Sequence, residues 1–343
     1  LNFDRNLFNT RSPILIIKQH GIGDVILSIP TFRTIRKYFS HAPISLVLDS
    51  PSVNLLRGDP DIDEIIEVKK GYLGISRVVQ KIKGRFGIVF NLISTPFSLF
   101  LSMISGTSVR IGWSKPQRKR GRVYTHPIGI SVSIAANLAN LRPVTCLGVE
   151  PVTEKPRLSI SEGEIERIKQ ESFSKLNLDS NKLTVAIQPG SLFETKQWFP
   201  ERFALLANRL VEHGIQVVIT GSEKEKEAID TTKLLLGNNL AYLSPVPIRD
   251  YARFLASVDL FATNDGGPLH IAQSVGTKTL AIFGSTDPAI WFPYRIPDEG
   301  GFFYSNLGYS PCAKKRRRRL DCLKEIGVEK VYTEVLGLMG ESR

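Results

Sequence analysis

The stretch DLFATNDGGPLHIAQSVGTKTLAIFGSTDP, Asp259–Pro288, decides the fold. Leu260–Ala262 is an apolar run suited to a buried strand. Asn264-Asp265-Gly266-Gly267-Pro268 is a turn that no strand or helix interior tolerates. Pro268 fits the first turn of a helix, where its missing N–H is not needed. Leu269–Val275 has helical spacing, with Gly276 placed to end it. Thr279–Phe283 is a second strand, closed by Gly284-Ser285-Thr286-Asp287-Pro288. Two glycines let a ligand come close to the backbone, and the helix behind them aims free N–H groups forward, which suits a phosphate or diphosphate. Asp265 is out of place beside an anion unless it accepts from a sugar hydroxyl or caps the helix. By itself the turn reads equally well as an anion cradle or as an ordinary βα turn capped by Asp265.

The same alternation runs outward through the chain. Ile14–Ile17 is a short apolar strand, and Lys18-Gln19-His20-Gly21-Ile22-Gly23-Asp24-Val25 then opens a helix through about Phe39. The dinucleotide fingerprint fails here, because Ile26 stands where the third glycine is required, and no Walker A motif occurs. Asp24 is left in the first turn of a helix at the carboxyl end of the first strand. Ligands bind there in open α/β sheets, and a helix cap is the alternative. Further strands are expected at Ile44–Leu48, Ile65–Val68, Gly87–Asn91 and Val109–Ile111. Helices are expected at Leu73–Ile82, Phe97–Ile104 and Ser133–Leu147, the apolar run Phe97–Ile104 as a buried helix.

Gly148–Leu158 has two prolines and no periodicity, which suggests a linker. The expected domains are therefore 1–150 and 151–343. The second repeats the theme: helix Glu162–Phe173, strand Leu183–Ile187, the loop Gln188–Trp198, helix Pro200–Glu212, and strand Val217–Thr220 ending in Gly221-Ser222-Glu223. Helices at Tyr251–Ser257 and Val328–Met339 complete it. The pattern predicts an α/β protein of two domains with parallel sheets covered on both faces.

The 343 residues carry a net charge of +12, and it is concentrated. Residues 110–122 hold six basic and no acidic side chains, and 314–319 (KKRRRR) hold six more, which matches the whole excess. Such segments meet phosphate. No run reaches the ~18–20 apolar residues of a membrane span. Leu1–Arg11 is polar and charged, so no signal peptide is expected. Cys146, Cys312 and Cys322 make no disulfide framework, which fits a reduced, cytoplasmic setting. Two short basic segments without a helix-turn-helix, zinc finger or aromatic ribonucleoprotein motif argue against a nucleic-acid partner.

Four motifs occur in one order: the GxGD turn ending at Asp24, PG-x-x-x-x-x-K-x-W over Pro189–Trp198, G-S-E at Gly221–Glu223 and N-D-x-G-P-x-H at Asn264–His270. In this the chain resembles the ADP-heptose:lipopolysaccharide heptosyltransferases, glycosyltransferase family 9. The resemblance extends from Ile14 to the last helix. It implies a GT-B fold, two Rossmann-like domains facing each other across a cleft. It also implies transfer of a heptose from ADP-heptose to the Kdo-lipid A inner core, at the cytoplasmic face of the inner membrane and in contact with its anionic surface. A transferase of the same fold with another nucleotide sugar is the alternative.

By the same resemblance, Asp24 is the general base, and Lys196 neutralises the leaving diphosphate. Gly190, Ser191, Glu223, Asp265, Gly266, Gly267, Leu269 and His270 bind the donor. Lys18, Gly23 and Arg120 lie on the acceptor side. Gly266 departs from the family, whose members commonly carry Thr there. The letters Asp61-Ile62-Asp63 form a D-x-D, but before a strand in the first domain a surface loop is the better reading. No metal and no cofactor are implied, and the displacement is expected to be inverting and metal-independent.

Overall fold

The structure is a computed structural model that describes residues 11–19, 21–69, 71–114, 123–129, 134–237, 240–292, 300–306 and 320–341. Arg120, most of the first basic segment, Cys312 and the KKRRRR run lie outside the described residues. The chain divides into two compact units between Ser159 and Ile160. Residues 148–158 belong to the first: Val152 N–H donates to Thr34 Oγ1 at 3.3 Å and Asn137 Nδ2 to the Glu154 carbonyl at 2.9 Å.

In the first unit the order is β1 (Ile14–Ile17), α1 (Ile22–Ile26), α2 (Ile29–Tyr38), β2 (Ile44–Asp49), α3 (Ser50–Leu56), β3 (Glu64–Val68) and α4 (Tyr72–Ile82). It continues with β4 (Ile88–Asn91), α5 (Pro96–Ile104), β5 (Val109–Ser114), β6 (His126–Gly129) and α6 (Ala136–Thr145). The six strands are all parallel, in the order β3-β2-β1-β4-β5-β6. All four residues of β1 are fully buried, as a central strand covered on both faces requires. The single helix expected from the Gly23 turn to Phe39 is two helices. Pro30 supplies no N–H and restricts the residue before it, so the chain restarts as α2.

The second unit starts with α7 (Glu162–Leu176), β7 (Thr184–Gln188), α8 (Pro200–Glu212), β8 (Gln216–Ile219), α9 (Lys226–Leu236), β9 (Ala241–Tyr242) and α10 (Ile248–Ala256). It ends with β10 (Leu260–Asn264), α11 (Gly267–Ser274), β11 (Lys278–Phe283), α12 (Pro288–Trp291), β12 (Gly300–Tyr304), α13 (Asp321–Lys324) and α14 (Val328–Met339). Its parallel sheet, β12-β11-β10-β7-β8-β9, repeats the first one's strand order. The strands β6, β9 and β12 were not expected from sequence. All three are sheet edges: one contains a proline, one has two residues and one opens with two glycines. Edge strands are half-covered, so they lack the apolar run that marks a central strand.

Each sheet changes direction beside its first strand, between β1 and β4 and between β7 and β10. The crevice outside the carboxyl ends of strands at such a point is where open α/β sheets bind ligands. The turns after β1, β7 and β10 start at those carboxyl ends, and the G-S-E turn starts at the carboxyl end of the neighbouring β8.

Glu164 ties α7 to α10. Its carboxylate accepts from the Ser161 backbone N–H at 3.0 Å and from Arg249 and Arg253. The Ser161 N–H first, then the arginines, hold its pKa down from 4.5 to about 2. The folded value is depressed, so the stabilisation is complete above pH 4.5 and is lost as pH falls through about 2. For this partly exposed group it amounts to roughly 2 kcal/mol after a discount for solvent screening. Glu164→Gln keeps the Ser161 capping pattern and removes the charge. Urea unfolding should show the variant about 2 kcal/mol less stable at pH 7, with the difference shrinking between pH 4.5 and 2.

Candidate active site

Asp24 sits in the first turn of α1, half-exposed. Its placement depends on Gly21. That residue has φ +74°, which L side chains rarely adopt, and a Cβ there would lie 2.6 Å from Asp24 Oδ2. A Gly21→Ala variant should therefore displace the carboxylate. We expect at least a tenfold loss of turnover, with a stability change of only about 1–2 kcal/mol, by steady-state kinetics and thermal melting. Gly23 is buried inside α1.

Lys18 was expected on the acceptor side. The structure instead buries it, at 4% exposure, with Nζ donating to the Leu92 carbonyl at 3.4 Å and to Asn140 Oδ1 at 3.2 Å. Burial pushes its pKa below the ordinary lysine value, and the field of Asp24 acts in the opposite direction. The two acceptors are neutral, and Asp24 is the charge whose field works against the burial. Asn140 is itself fixed, with Nδ2 donating to the Leu27 carbonyl and its own carbonyl accepting from Thr31 Oγ1. The D-x-D letters have a structural role. Asp63 accepts from the Ile44 N–H at 2.7 Å and pairs with Arg36, while Asp61 pairs with Arg33.

In the second unit Lys196 and Asp265, 69 residues apart, are brought into contact. Lys196 Nζ lies 2.6 Å from Asp265 Oδ2, and Thr286 Oγ1 donates to the same oxygen at 2.6 Å. Asp265 is 2% exposed and Lys196 21%. Asp265 does not cap α11. The N-cap is Gly266, which has no side chain to bond the first turn. The N–H groups of that turn therefore have no intrahelical partner, and Gly266, Gly267 and Pro268 are half-exposed in front of it. Leu269 and His270 are buried, at 0% and 3%. The Leu269 side chain packs with Ala281, Phe283 and Phe292, which leaves only its backbone for a ligand. Gly266 is extended, and a Cβ there would meet nothing closer than Pro268 Cδ at 3.7 Å. The threonine common in the family therefore fits, and Gly266→Thr should change stability by no more than about 0.5 kcal/mol in a thermal melt.

Asn264 holds the site together. Its Nδ2 donates to the carbonyls of Pro189 and Gly190, both at 3.0 Å, and its Oδ1 accepts from the Trp198 N–H at 2.8 Å. Trp198 is fully buried and donates Nε1 to the Ile326 carbonyl, so the tryptophan of the K-x-W motif anchors the loop that carries Lys196. Thr195 bonds Ser285 through both backbone and side chain, locking the same loop to the turn after β11. The Ser191 N–H is held by Gln197 Oε1 at 3.2 Å. Gly190 is needed for close packing, since a Cβ would meet the Glu225 Cβ at 2.4 Å.

Glu223 lies apart from the Lys196–Asp265 pair. With Ser222, Lys226, Tyr242, Ser244 and Pro245 it lines a cavity of about 280 Å³. Glu225 braces the turn that carries it, accepting from Ser222 at 2.6 Å and from Gln188 Nε2 at 2.6 Å. Tyr251 donates to Gln188 Oε1 at 2.9 Å and also bonds Thr220. Reading the sequence missed Asn264, Glu225 and Thr286 as site residues. The first has a signal, a polar residue ending an apolar strand. The second has one too, the capping spacing S-x-x-E at Ser222. Thr286 has none beyond its place in a turn.

The α11 N-terminus, the Lys196 ammonium and the buried Asp265 carboxylate thus meet at one switch point. The model for glycosyltransferase family 9 (heptosyltransferase) matches residues 75–322. The chain belongs to glycosyltransferase family 9. It is 24% identical to lipooligosaccharide heptosyltransferase 2 of Campylobacter jejuni over 94% of this chain and 96% of that protein. Among solved structures it resembles a family 9 glycosyl transferase from Veillonella parvula, with TM-score 0.84 and 23% identity over 96% of this chain and 98% of that one. It also resembles the E. coli ADP-heptose LPS heptosyltransferase II, with TM-score 0.79 and 20% identity over 96% and 99%. The fold is thus GT-B, as expected. The protein is a glycosyltransferase.

Proposed function

We propose that this family 9 enzyme transfers heptose from ADP-heptose to a hydroxyl of the lipopolysaccharide inner core, on a Kdo-lipid A acceptor, at the cytoplasmic face of the inner membrane. The contact between Lys196 and Asp265 in front of the α11 N-terminus carries the reading. An ammonium has three donors, so Lys196 can hold Asp265 and a phosphate oxygen together. The first-turn N–H groups of α11 and the Ser191 hydroxyl take further phosphate oxygens. Asp265, whose observed bonds both end on Oδ2, offers Oδ1 to a sugar hydroxyl. Glu223 and its cavity suit the nucleoside, with the carboxylate accepting from ribose.

In the step itself the acceptor oxygen attacks the anomeric carbon, and the bond from that carbon to the diphosphate breaks. The acceptor proton passes to Asp24, and the charge arriving on the diphosphate is met by Lys196 and the helix terminus. A single displacement inverts the anomeric centre, and these two cationic ends do the work a metal does elsewhere. The names of the compared enzymes support the donor and acceptor, since both are heptosyltransferases of lipooligosaccharide or lipopolysaccharide.

The test offers ADP-heptose and several UDP- and GDP-sugars with Kdo-lipid A in EDTA, and measures nucleoside diphosphate release. Release from ADP-heptose alone is expected. Release from a UDP-sugar alone would overturn the donor, and loss of turnover in EDTA would overturn the metal-free step.

A further inference from the structure

The helix α5 is built inside out. Its sequence, PFSLFLSMI, is apolar except for two serines, and both serines are fully buried. Ser98 Oγ donates to the Ile93 carbonyl at 2.6 Å, and Ser102 Oγ donates to the Ser98 carbonyl and accepts from Asn91 Nδ2 at 2.8 Å. The outward side carries Phe100, 43% exposed, and Met103, 61% exposed, with Phe97 stacked against Phe100 at 6.3 Å. A helix facing water turns its polar residues outward. The run is therefore only partly the buried helix expected: Leu99 and Leu101 are buried, whereas Phe100 and Met103 are exposed apolar surface.

The neighbouring helix extends that surface. α4 and α5 lie side by side and share one core cluster through Val78, Ile82 and Leu101. The first turn of α4 presents Tyr72 at 85% and Leu73 at 71% exposure. Large apolar side chains exposed on two adjacent helices mark an interaction site. Its charge says with what. From Val68 to Val149 the sequence has no aspartate or glutamate and thirteen lysines and arginines, and Arg77 and Lys83 stand exposed beside the apolar face.

We propose that the outer face of α4 and α5 is a docking surface for an anionic lipid bilayer. Aromatic and aliphatic side chains enter the headgroup–acyl boundary while the surrounding cations meet lipid phosphates. A second copy of the chain is the weaker occupant, because it would bring two acid-free basic regions together. A nucleic acid would satisfy the cations but leave Leu73 and Met103 without apolar contact.

The proposal rests on the reading that the enzyme works at a membrane surface. Vesicle binding needs neither donor nor acceptor, so its failure is distinguishable from failure of the sugar-transfer assignment. Full-length protein is sedimented with phosphatidylglycerol and with phosphatidylcholine vesicles. The wild type should bind the anionic vesicles at least about tenfold more tightly. Phe100→Ser/Met103→Ser should weaken that binding roughly tenfold or more, from the lost apolar burial. Its melting temperature and its turnover on a water-soluble, deacylated acceptor should stay the same. Arg77→Glu/Lys83→Glu should weaken anionic binding in the same direction. Equal binding by wild type and the Phe100/Met103 variant would overturn the proposal, as would failure of the wild type to bind. A wild-type dimer that this variant dissociates in sedimentation velocity would assign the face to a second copy instead.

Discussion

Replacing Asp24 by asparagine should lower turnover by about 10²–10⁴-fold while leaving donor affinity nearly unchanged. Asparagine keeps the shape of the side chain and removes only its capacity to take a proton. Asp24 is half-exposed, which leaves its carboxylate open to an acceptor hydroxyl. The loss should therefore sit in kcat rather than in KM for the sugar nucleotide. A second consequence follows from Lys18. Its ammonium is buried against two neutral acceptors, and the field of Asp24 is what offsets the burial. Without that carboxylate its pKa should fall further, which an NMR titration of the lysine side chain can follow. Turnover within tenfold of wild type would remove Asp24 from the role of base.

The largest combined effect on fold and activity is expected at the Lys196–Asp265 pair. Lys196→Met leaves a carboxylate that is 2% exposed with, among the described residues, only Thr286 to bond it. Removing one partner of a buried ion pair costs about 3–5 kcal/mol, and the lower end applies because Lys196 is one-fifth exposed. Turnover should fall by about 10²–10³-fold, since the charge developing on the diphosphate loses its counter-ion. Asp265→Asn should cost less stability, because Lys196 can turn its ammonium toward water.

The double variant separates the two roles. With both charges gone, most of the stability lost in Lys196→Met should return, while turnover stays low. Chemical denaturation and a nucleoside diphosphate release assay read the two quantities separately. If the double variant regained activity along with stability, Lys196 would be a structural partner of Asp265 and not a ligand of the diphosphate.

How much of this was legible beforehand varies from element to element. Central strands such as Ile14–Ile17 and the Leu260–Ala262 part of β10 announce themselves, because burial on both faces demands an apolar run. The edge strands β6, β9 and β12 carry no such demand and were missed. The break between α1 and α2 was written in Pro30 but was outweighed by the apolar spacing around it. The reading of Phe97–Ile104 as buried holds at Leu99 and Leu101 and fails at Phe100 and Met103, for a definite reason. Hydrophobicity reports that a residue avoids water, but not whether protein or some other apolar phase relieves it, and here the serines point inward instead.

In the site, the turns were legible and the contacts were not. Glycine, proline and acidic residues at strand ends mark Asp24, Lys196, Glu223 and Asp265 as candidates, since their backbone chemistry is local. That local chemistry also determined the fold class and the repeated strand–helix order of the two units. Only the tertiary structure decided that Lys18 is an interior group, that Gly190 makes room for Glu225, and that Asn264 clamps two loops. It also removed Asp265 as the cap of the NDGGPLH turn, by giving its carboxylate to Lys196 and Thr286 rather than to the helix. The physical reason is sequence distance. A turn is set by its neighbours in the chain, whereas a buried charge is set by whatever the parallel sheet brings beside it, here from 69 and 21 residues away.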